Sequence, residues 1–538
     1  MIINAIKQNW HEDILPGVKM ELFIRDVIPI YTLMETMGLN DGAGTVAITG
    51  ENSKTWMAAY IAALLKGCTL VIVPKNMSKA AITHYLLITN TNLLITDNNN
   101  RSIIDKDKAF YKTPLLKGVY NAESFEWVWA RTDIYNQTIA ISNLNREDVI
   151  LNYKDIDNLF TNLYNNDVET VITPTSGVEY RGSKYVVSSM SSIKALIIKS
   201  IDLLPYDLGD KIYSNVDYST SHYLTVLIPF IKGCVFTISP REAEVFIEDT
   251  QSIQTLWRQR VDSVLEVRFL HWLFVKTPFR RLFNGLAIRR LKSYFNKGNR
   301  LKSVMIYNWF GSERIISTLR GRLPLFTTYG SQECNQLIAY NDYSSAELKK
   351  TNCAGRFIRG YEYTIDPDFN ELLLNSKSMF THYHSDLDWT DSVMDALHYH
   401  TGDIANVTSD GILFVYGRKK RIFADNTGFN VNLDNMERII KNIPYIDEAI
   451  LVAFVKGSSI EFTLAIYPDE AFVESKRLGL LQLQKLFEDL SKKLQRDLVG
   501  DYKITRTLIK EKPFEKTFDG KIERHLYPAI NFGSLSSD

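Results

Sequence analysis

Five short stretches of this chain carry residue types whose spacing can do chemistry. TPTSGVEYRGSKYVV (173–187) gathers Thr175, Ser176, Gly177 and Lys184. Hydroxyls, glycine N–H groups and an ammonium in one loop can cradle a polyphosphate without steric cost. YHTGD (399–403) ends in Asp403, whose two carboxylate oxygens can accept both hydroxyls of a vicinal pair. GRKKRIF (417–423) supplies Arg418, a planar donor suited to hydroxyl or phosphate oxygens. The remaining stretches, TTYGSQE (327–333) and EKTFDGKIER (515–524), hold Tyr329, Glu333 and Lys521. A lysine in a glycine turn is ordinarily solvated surface, so Lys521 acquires meaning only from its place in the series. His382/His384 and His398/His400 alternate as strand residues on one face would, which is a metal-ligand spacing, but no third ligand falls in register and packing or surface roles are preferred.

Taken in order, these stretches resemble the AMP-forming acyl-CoA synthetase, adenylation-domain and luciferase superfamily. The resemblance runs from about Thr45 to Arg524 and takes in GENSKTW near the start and NTGFNVNLDNME after residue 425. In that family a TSG-T-T-G-x-P-K-G loop holds the ATP phosphates; here TSG is followed by VEYRGSK, the match at Lys184 needs one inserted residue, and the second pair of hydroxyls is missing. The resemblance implies Tyr329 against adenine, with Gly330 beside it, and Glu333 on magnesium, which takes one or two carboxylates alongside phosphate oxygens. Gln332 stands where the family has a threonine near the α-phosphate, and its amide can still donate to a phosphate oxygen. WFGSER (309–314), with Gly311, resembles the adenine-side loop. Asp403 falls at the ribose position, Arg418 where ribose or phosphate oxygens are met, Lys420 at the hinge, and Lys521 at the catalytic lysine, whose ammonium would stabilise charge as the carboxylate attacks phosphorus.

What the resemblance implies is ATP-dependent conversion of a carboxylic acid to an acyl-adenylate, then a thioester with coenzyme A, with a fatty acid preferred as substrate. The alternatives are an enzyme that loads an acyl or aryl acid onto the phosphopantetheine of an acyl carrier protein, and a non-catalytic nucleotide-binding relative. ATP, Mg2+ and coenzyme A are the expected cofactors. In the family the C-terminal domain rotates at the hinge, withdrawing the lysine and presenting a face around Gly428 to Val431 to the thiol. His222, in DYSTSHYLTVLIPF, falls where the family builds its acid pocket and reads as a packing residue.

The elements that must position these residues follow from hydrophobic periodicity. TVAITGENSKTWMAAYIAALLKGCTLVIV (45–73) reads as strand, capped turn, helix and buried strand. The rhythm recurs near His84–Thr96 and Asp217–Ser239, which predicts an α/β fold: a large N-terminal domain of α/β subdomains with mostly parallel sheets. From Glu371 short strands take over, and beyond Asn432 a helix, two strands and another helix predict a small mobile α+β C-terminal domain. The expected division is 1–417, the AMP-binding domain, and 418–538, the domain carrying Lys521.

Length and charge bound the rest. At 538 residues the chain has room for two to five domains of about 100–200 residues. Lys plus Arg and Asp plus Glu both number 62, and 45% of residues are hydrophobic, which disfavours disorder and generic nucleic-acid binding. Residues 257–302 break the balance, with twelve basic residues against Asp262 and Glu266 and aromatics interleaved. That pattern suits peripheral contact with an anionic membrane. Pro278 interrupts the periodicity, so a core helix with a solvated basic face is preferred. Four scattered cysteines and an N-terminus without an apolar run predict a cytoplasmic protein, at most membrane-peripheral.

Overall fold

The apolar run that starts at Thr45 becomes a buried strand–helix–strand unit. In the computed structural model, which describes residues 1–39, 44–99, 113–131, 134–135, 169–175, 184–249, 301–307, 324–350, 352–384, 387–395, 397–424, 430–441, 443, 445–456, 459–497, 503–517 and 521–527, strands Thr45–Ile48 and Thr69–Ile72 pair in parallel and flank helix Lys54–Lys66. Ser53 starts that helix by accepting the Trp56 N–H at 3.1 Å, and Gly67, at φ 74°, ends it. Every residue from Trp56 to Lys66 is buried, as a helix between two layers requires. Lys66 is kept soluble within the core by Glu35 at 2.9 Å and by the ring of Tyr31 beneath its ammonium.

Two large sheets carry the fold, in agreement with the α/β expectation. The first has eight strands, in the order His382–Tyr383, Tyr185–Ser189, Glu169–Pro174, Thr69–Ile72, Thr45–Ile48, Leu93–Thr96, Gly118–Asn121 and Glu126–Ala130. Its five central strands are parallel and its edges antiparallel. The second has eleven strands. Val235–Phe236, Lys211–Ser214, Val245–Asp249, Ser303–Tyr307 and Leu325–Tyr329 form its parallel half. Beyond Leu325–Tyr329 the pairing turns antiparallel through Ala339–Asn341 and Cys353–Phe357 to Ile412–Arg418, Tyr399–Val407, Glu371–Asn375 and Glu362–Ile365. One apolar core, running from Ile2 to Val415, joins both sheets through helices Met20–Thr36, Lys54–Lys66 and Met190–Ser200.

The C-terminal elements build a separate core. Strands Ile446–Lys456 and Ser459–Pro468 are antiparallel, Lys503–Ile509 adds in parallel, and helices Leu433–Lys441 and Leu480–Asp497 cover them through Leu433, Ile440, Leu483 and Phe487. This is the helix, strand, strand, helix succession the sequence predicts. No helix among the described residues is long and apolar enough to cross a membrane. The basic segment lies outside the described residues up to position 300; its last cation, Lys302, pairs with Asp207 and Asp210 at 2.5 and 2.6 Å.

Candidate functional site

The end of strand Leu325–Tyr329 lies where the eleven-stranded sheet changes from parallel to antiparallel pairing. At such a junction side chains from the parallel and the antiparallel half of the sheet can meet. Tyr329 is the last residue of the strand, and the chain then folds back on itself. Gln336 N–H donates to Ser331 O at 2.7 Å and Ile338 N–H to Tyr329 O at 2.8 Å. The return is so close that a Cβ on Gly330 would sit 2.4 Å from the Gln336 carbonyl oxygen, so only glycine fits. Asn335 and Gln336 complete the turn at positive φ.

Asp403 sits across this turn on strand Tyr399–Val407, directly opposite Arg418 in the neighbouring strand. Its Oδ2 accepts the Tyr329 hydroxyl at 2.5 Å and its Oδ1 faces Arg418 Nε at 3.0 Å. Arg418 also donates from Nη1 to Thr401 O at 2.8 Å, and the Asp403 N–H donates to Thr401 Oγ1 at 3.1 Å. Burial pushes the Asp403 carboxyl above its ordinary pKa, against the opposing pull of Arg418 and the Tyr329 hydroxyl. Asp403 in turn raises the pKa of Arg418, whose side chain as a whole is 54% exposed. The arrangement is a buried carboxylate fixed by one donor on each oxygen, with further lone pairs left to accept from a ligand.

A second constellation joins Lys184 to Glu333. Thr175 N–H donates to Lys184 O at 2.7 Å, so the two ends of the sequence-predicted phosphate loop meet at the root of the hairpin formed by Glu169–Pro174 and Tyr185–Ser189. Lys184 Nζ lies 4.9 Å from the ring centroid of Tyr383, and the Tyr383 hydroxyl donates to Glu333 Oε1 at 2.7 Å. Burial, followed by the Glu333 charge, raises the Tyr383 pKa strongly and keeps it a phenol donor. Tyr383 is absent from the sequence-derived set. Its flanking histidines draw attention to metal, and only the pairing of His382–Tyr383 with Val186–Val187 brings it beside Lys184.

Gln332 makes contacts that the sequence does not show. Its Nε2 donates to Thr220 O at 2.9 Å, while its Oε1 accepts Gln336 Nε2 at 3.1 Å and Gln336 Oε1 accepts the Tyr223 N–H at 3.3 Å. This chain of donors fixes the amide towards the Tyr218–His222 helix, so Gln332 ties that helix to the Glu333 turn. Asn335 is a second residue the sequence does not single out: buried, it accepts Ser188 Oγ at 2.5 Å and donates to Ser192 Oγ at 3.1 Å and Ser378 O at 2.9 Å.

Ser176, Gly177 and Gly311 lie outside the described residues, as does Gly428, while of Val431 only the backbone, in strand Asn430–Asn432, is described. Lys420 is exposed in the short turn Lys419–Arg421 directly after Arg418. Lys521 is exposed on the C-terminal unit, where its N–H donates to Thr517 Oγ1 at 3.1 Å and its carbonyl accepts the Thr517 N–H at 2.7 Å. The histidine pairs do not converge: His384 Nε2 meets Ile88 O at 2.9 Å, whereas His400 Nε2 lies 3.2 Å from Asp395. No group of three or more His, Cys, Asp or Glu among the described residues is arranged to hold a metal ion.

No family model matches the chain. Among curated proteins it is similar to long chain acyl-CoA synthetase 2 of Arabidopsis thaliana, 32% identical over 139 residues that make up 25% of this chain and 20% of that protein. It is similar to a long-chain-fatty-acid–CoA ligase of Escherichia coli O157:H7, 27% identical over 207 residues, 37% of this chain and 35% of the relative. It is also similar to the indoleacetate–CoA ligase of Aromatoleum aromaticum, 27% identical over 149 residues, 26% of this chain and 29% of the relative. The matches thus span about a fifth to a third of these relatives. Among solved structures, O-succinylbenzoate CoA synthetase from Bacillus subtilis with AMP superposes at a TM-score of 0.71 and 13% identity, covering 100% of this chain and 98% of that one. ATP-bound MatB from Rhodopseudomonas palustris gives a TM-score of 0.72 at 13% identity, with 100% of both chains covered.

Proposed function

From the premise that this chain has the fold of the adenylate-forming enzymes and its sequence relatives among their CoA ligases, we propose that it is an AMP-forming acid–thiol ligase. It joins a carboxylic acid to AMP at the expense of ATP, releasing pyrophosphate, and then passes the acyl group to the thiol of coenzyme A. The observation that carries the reading is the Tyr329–Asp403–Arg418 cluster at the switch point of the sheet. A carboxylate already held by one donor on each oxygen is preorganised to accept two ribose hydroxyls, and Arg418 stands ready beside it.

The second donor set, around Glu333, fits a magnesium nucleotide. Glu333 Oε1 is engaged by Tyr383, which orients the carboxylate and leaves Oε2 for a hard cation. Magnesium held there would neutralise phosphate charge. Lys184, at the mouth of the 176–183 loop, adds a cation for the phosphates, and Lys521 brings one to the oxygen on which charge grows as the carboxylate attacks. Carrying Lys521 on a C-terminal domain that begins near residue 418 and turns at Lys420 lets one site serve both half-reactions. Long-chain fatty acids are the first substrates to try, because one of the sequence relatives above is a long-chain-fatty-acid–CoA ligase and another a long chain acyl-CoA synthetase.

The test is pyrophosphate release from Mg-ATP across a panel of fatty and aryl acids, with and without coenzyme A. Release that requires one class of acid, and continuous turnover only with the thiol, is the expected outcome. ATP binding without release for any acid would remove the ligase reading and leave a nucleotide-binding protein.

A further inference from the structure

Among the described residues, Ser221 Oγ and His222 Nε2, on consecutive side chains at one bend, are buried polar atoms without a hydrogen-bond partner, and Tyr223 Oη directly after them is a third. Ser221 and His222 are fully buried. A polar atom withdrawn from water without a partner destabilises the fold, so such a pair implies a group that comes to satisfy it. The backbone at this point is irregular. Ser221 leaves helical geometry at φ −140° and ψ 41°, and a π-helical turn, Tyr223–Leu227, follows at once, a local geometry common at functional sites.

The bend lies against the proposed reaction centre. Thr220 O, one residue before Ser221, accepts the side chain of Gln332, the neighbour of Glu333, and Tyr223 N–H reaches Gln336 in the same turn. On its other side His222 Nδ1 meets Tyr60 Oη at 3.0 Å, which leaves Nε2 at the opposite edge of the ring. Aromatic rings surround the pair: Tyr60 and Tyr223 lie 5.5 and 3.9 Å from the imidazole, and Trp56 stacks on Tyr60. An aromatic wall that also holds unpartnered polar atoms, Trp56 Nε1 and Tyr223 Oη among them, suits an organic molecule bearing a polar substituent. Burial pushes the His222 pKa down to about 3, so the imidazole is uncharged. If Tyr60 donates to Nδ1, Nε2 is a donor; if Tyr60 accepts, Nε2 is an acceptor. A hydroxyl satisfies either tautomer, and Ser221 Oγ supplies the complementary bond.

We propose that Ser221 and His222 form a polar subsite for a hydroxyl on the tail or ring of the acid, so that the enzyme selects hydroxylated acids over their unsubstituted counterparts. The inference rests on the ligase reading and narrows its substrate class. It is tested on the full chain with matched acids, dodecanoic acid against its terminally hydroxylated form and phenylacetic acid against its hydroxyphenyl form. Affinity with AMP present is measured by calorimetry, beside pyrophosphate release. In at least one pair the hydroxylated member should bind tighter by about tenfold or more, because a site built to bond a hydroxyl discriminates strongly against its absence. His222→Phe should bring the ratio close to one, and His222→Gln, which keeps a polar group, should restore part of it. Ser221→Ala should lower the ratio as well and serves where His222→Phe does not fold.

A ratio near one in the wild type, or a ratio that His222→Phe leaves unchanged, overturns the subsite and assigns the two atoms to buried water. A binding preference without pyrophosphate release from any acid would instead sustain the subsite and remove the ligase reading. Absence of binding by every acid overturns both.

Discussion

Arg524 grips Glu437 through both guanidinium nitrogens, Nη1 to Oε1 at 2.8 Å and Nη2 to Oε2 at 2.5 Å. Arg421 Nη2 reaches the same Oε1 at 2.7 Å and the Leu451 N–H donates to it at 2.7 Å. One buried carboxylate on helix Leu433–Lys441 therefore ties the residue after Lys420 to the residue three positions beyond Lys521. The pair is 4% and 22% exposed, so solvent screens it little.

Glu437→Gln keeps the volume and removes the charge that two arginines face. Breaking a buried pair from one side costs about 3–5 kcal/mol. The variant should unfold at lower denaturant concentration, and the Leu451 amide should lose protection from hydrogen exchange. Unchanged exchange at Leu451 would show that the carboxylate does not hold this unit together.

Nucleotide affinity should depend on pH through Asp403. Its carboxyl is raised above its ordinary value of 3.8 by burial, so the folded protein holds a proton there more tightly than the unfolded chain does. The contribution to stability is thus greatest below the ordinary value and falls as pH rises through the raised one. Binding of ribose hydroxyls needs the ionised acceptor and follows the opposite course, weakening as pH drops into that window. Calorimetric AMP affinity should fall on acidification in the wild type and stay flat in Asp403→Asn, whose affinity at neutral pH should be lower by about tenfold to a hundredfold, the worth of hydrogen bonds to a charged group.

Tyr383→Phe isolates one hydrogen bond, because the ring under Lys184 is retained while the donor to Glu333 is lost. The concentration of Mg2+ needed for half-maximal pyrophosphate release should rise by about threefold to tenfold, a part of the worth of one bond to a carboxylate, because Tyr383 acts on the cation only through Glu333. Lys184→Ala should raise the requirement for ATP with less effect on that for Mg2+. Equal effects of both substitutions on both ligands would mean that the Lys184–Tyr383–Glu333 series acts as a single packing unit.

The sequence shows more of the fold than of the site's wiring. The strand–helix–strand at 45–73 is legible because its apolar runs and the Ser53 and Gly67 caps are local signals. Tyr329, Asp403, Arg418 and Glu333 are legible because they lie in compact motifs. Tyr383 and Asn335 are not, since each acts only when a strand or turn from elsewhere in the chain is laid beside it. The Gln332 amide shows the same limit from the other direction. Its chemistry suits a phosphate, and no local signal shows that it also donates to Thr220 O, over a hundred positions away, in a chain that includes Gln336.

Lys521 provides the sharpest division between the two half-reactions. Its turn is pinned by Thr517, by the bridge between Lys516 and Ile522, and by Glu448, which accepts the Phe514 N–H at 2.8 Å and pairs with Lys516. The backbone is thus held while the side chain stands exposed, and truncating the side chain should leave the fold intact. An ammonium that meets charge only in the adenylation transition state contributes to that step alone. Lys521→Ala should therefore slow adenylate formation by on the order of 100- to 1000-fold, the effect of losing one preorganised donor. Thiol transfer from preformed acyl-adenylate should stay within about threefold of wild type, because that step does not use the charge. Measuring both half-reactions in single turnover decides the point, and equal loss in the two would withdraw the role assigned to Lys521.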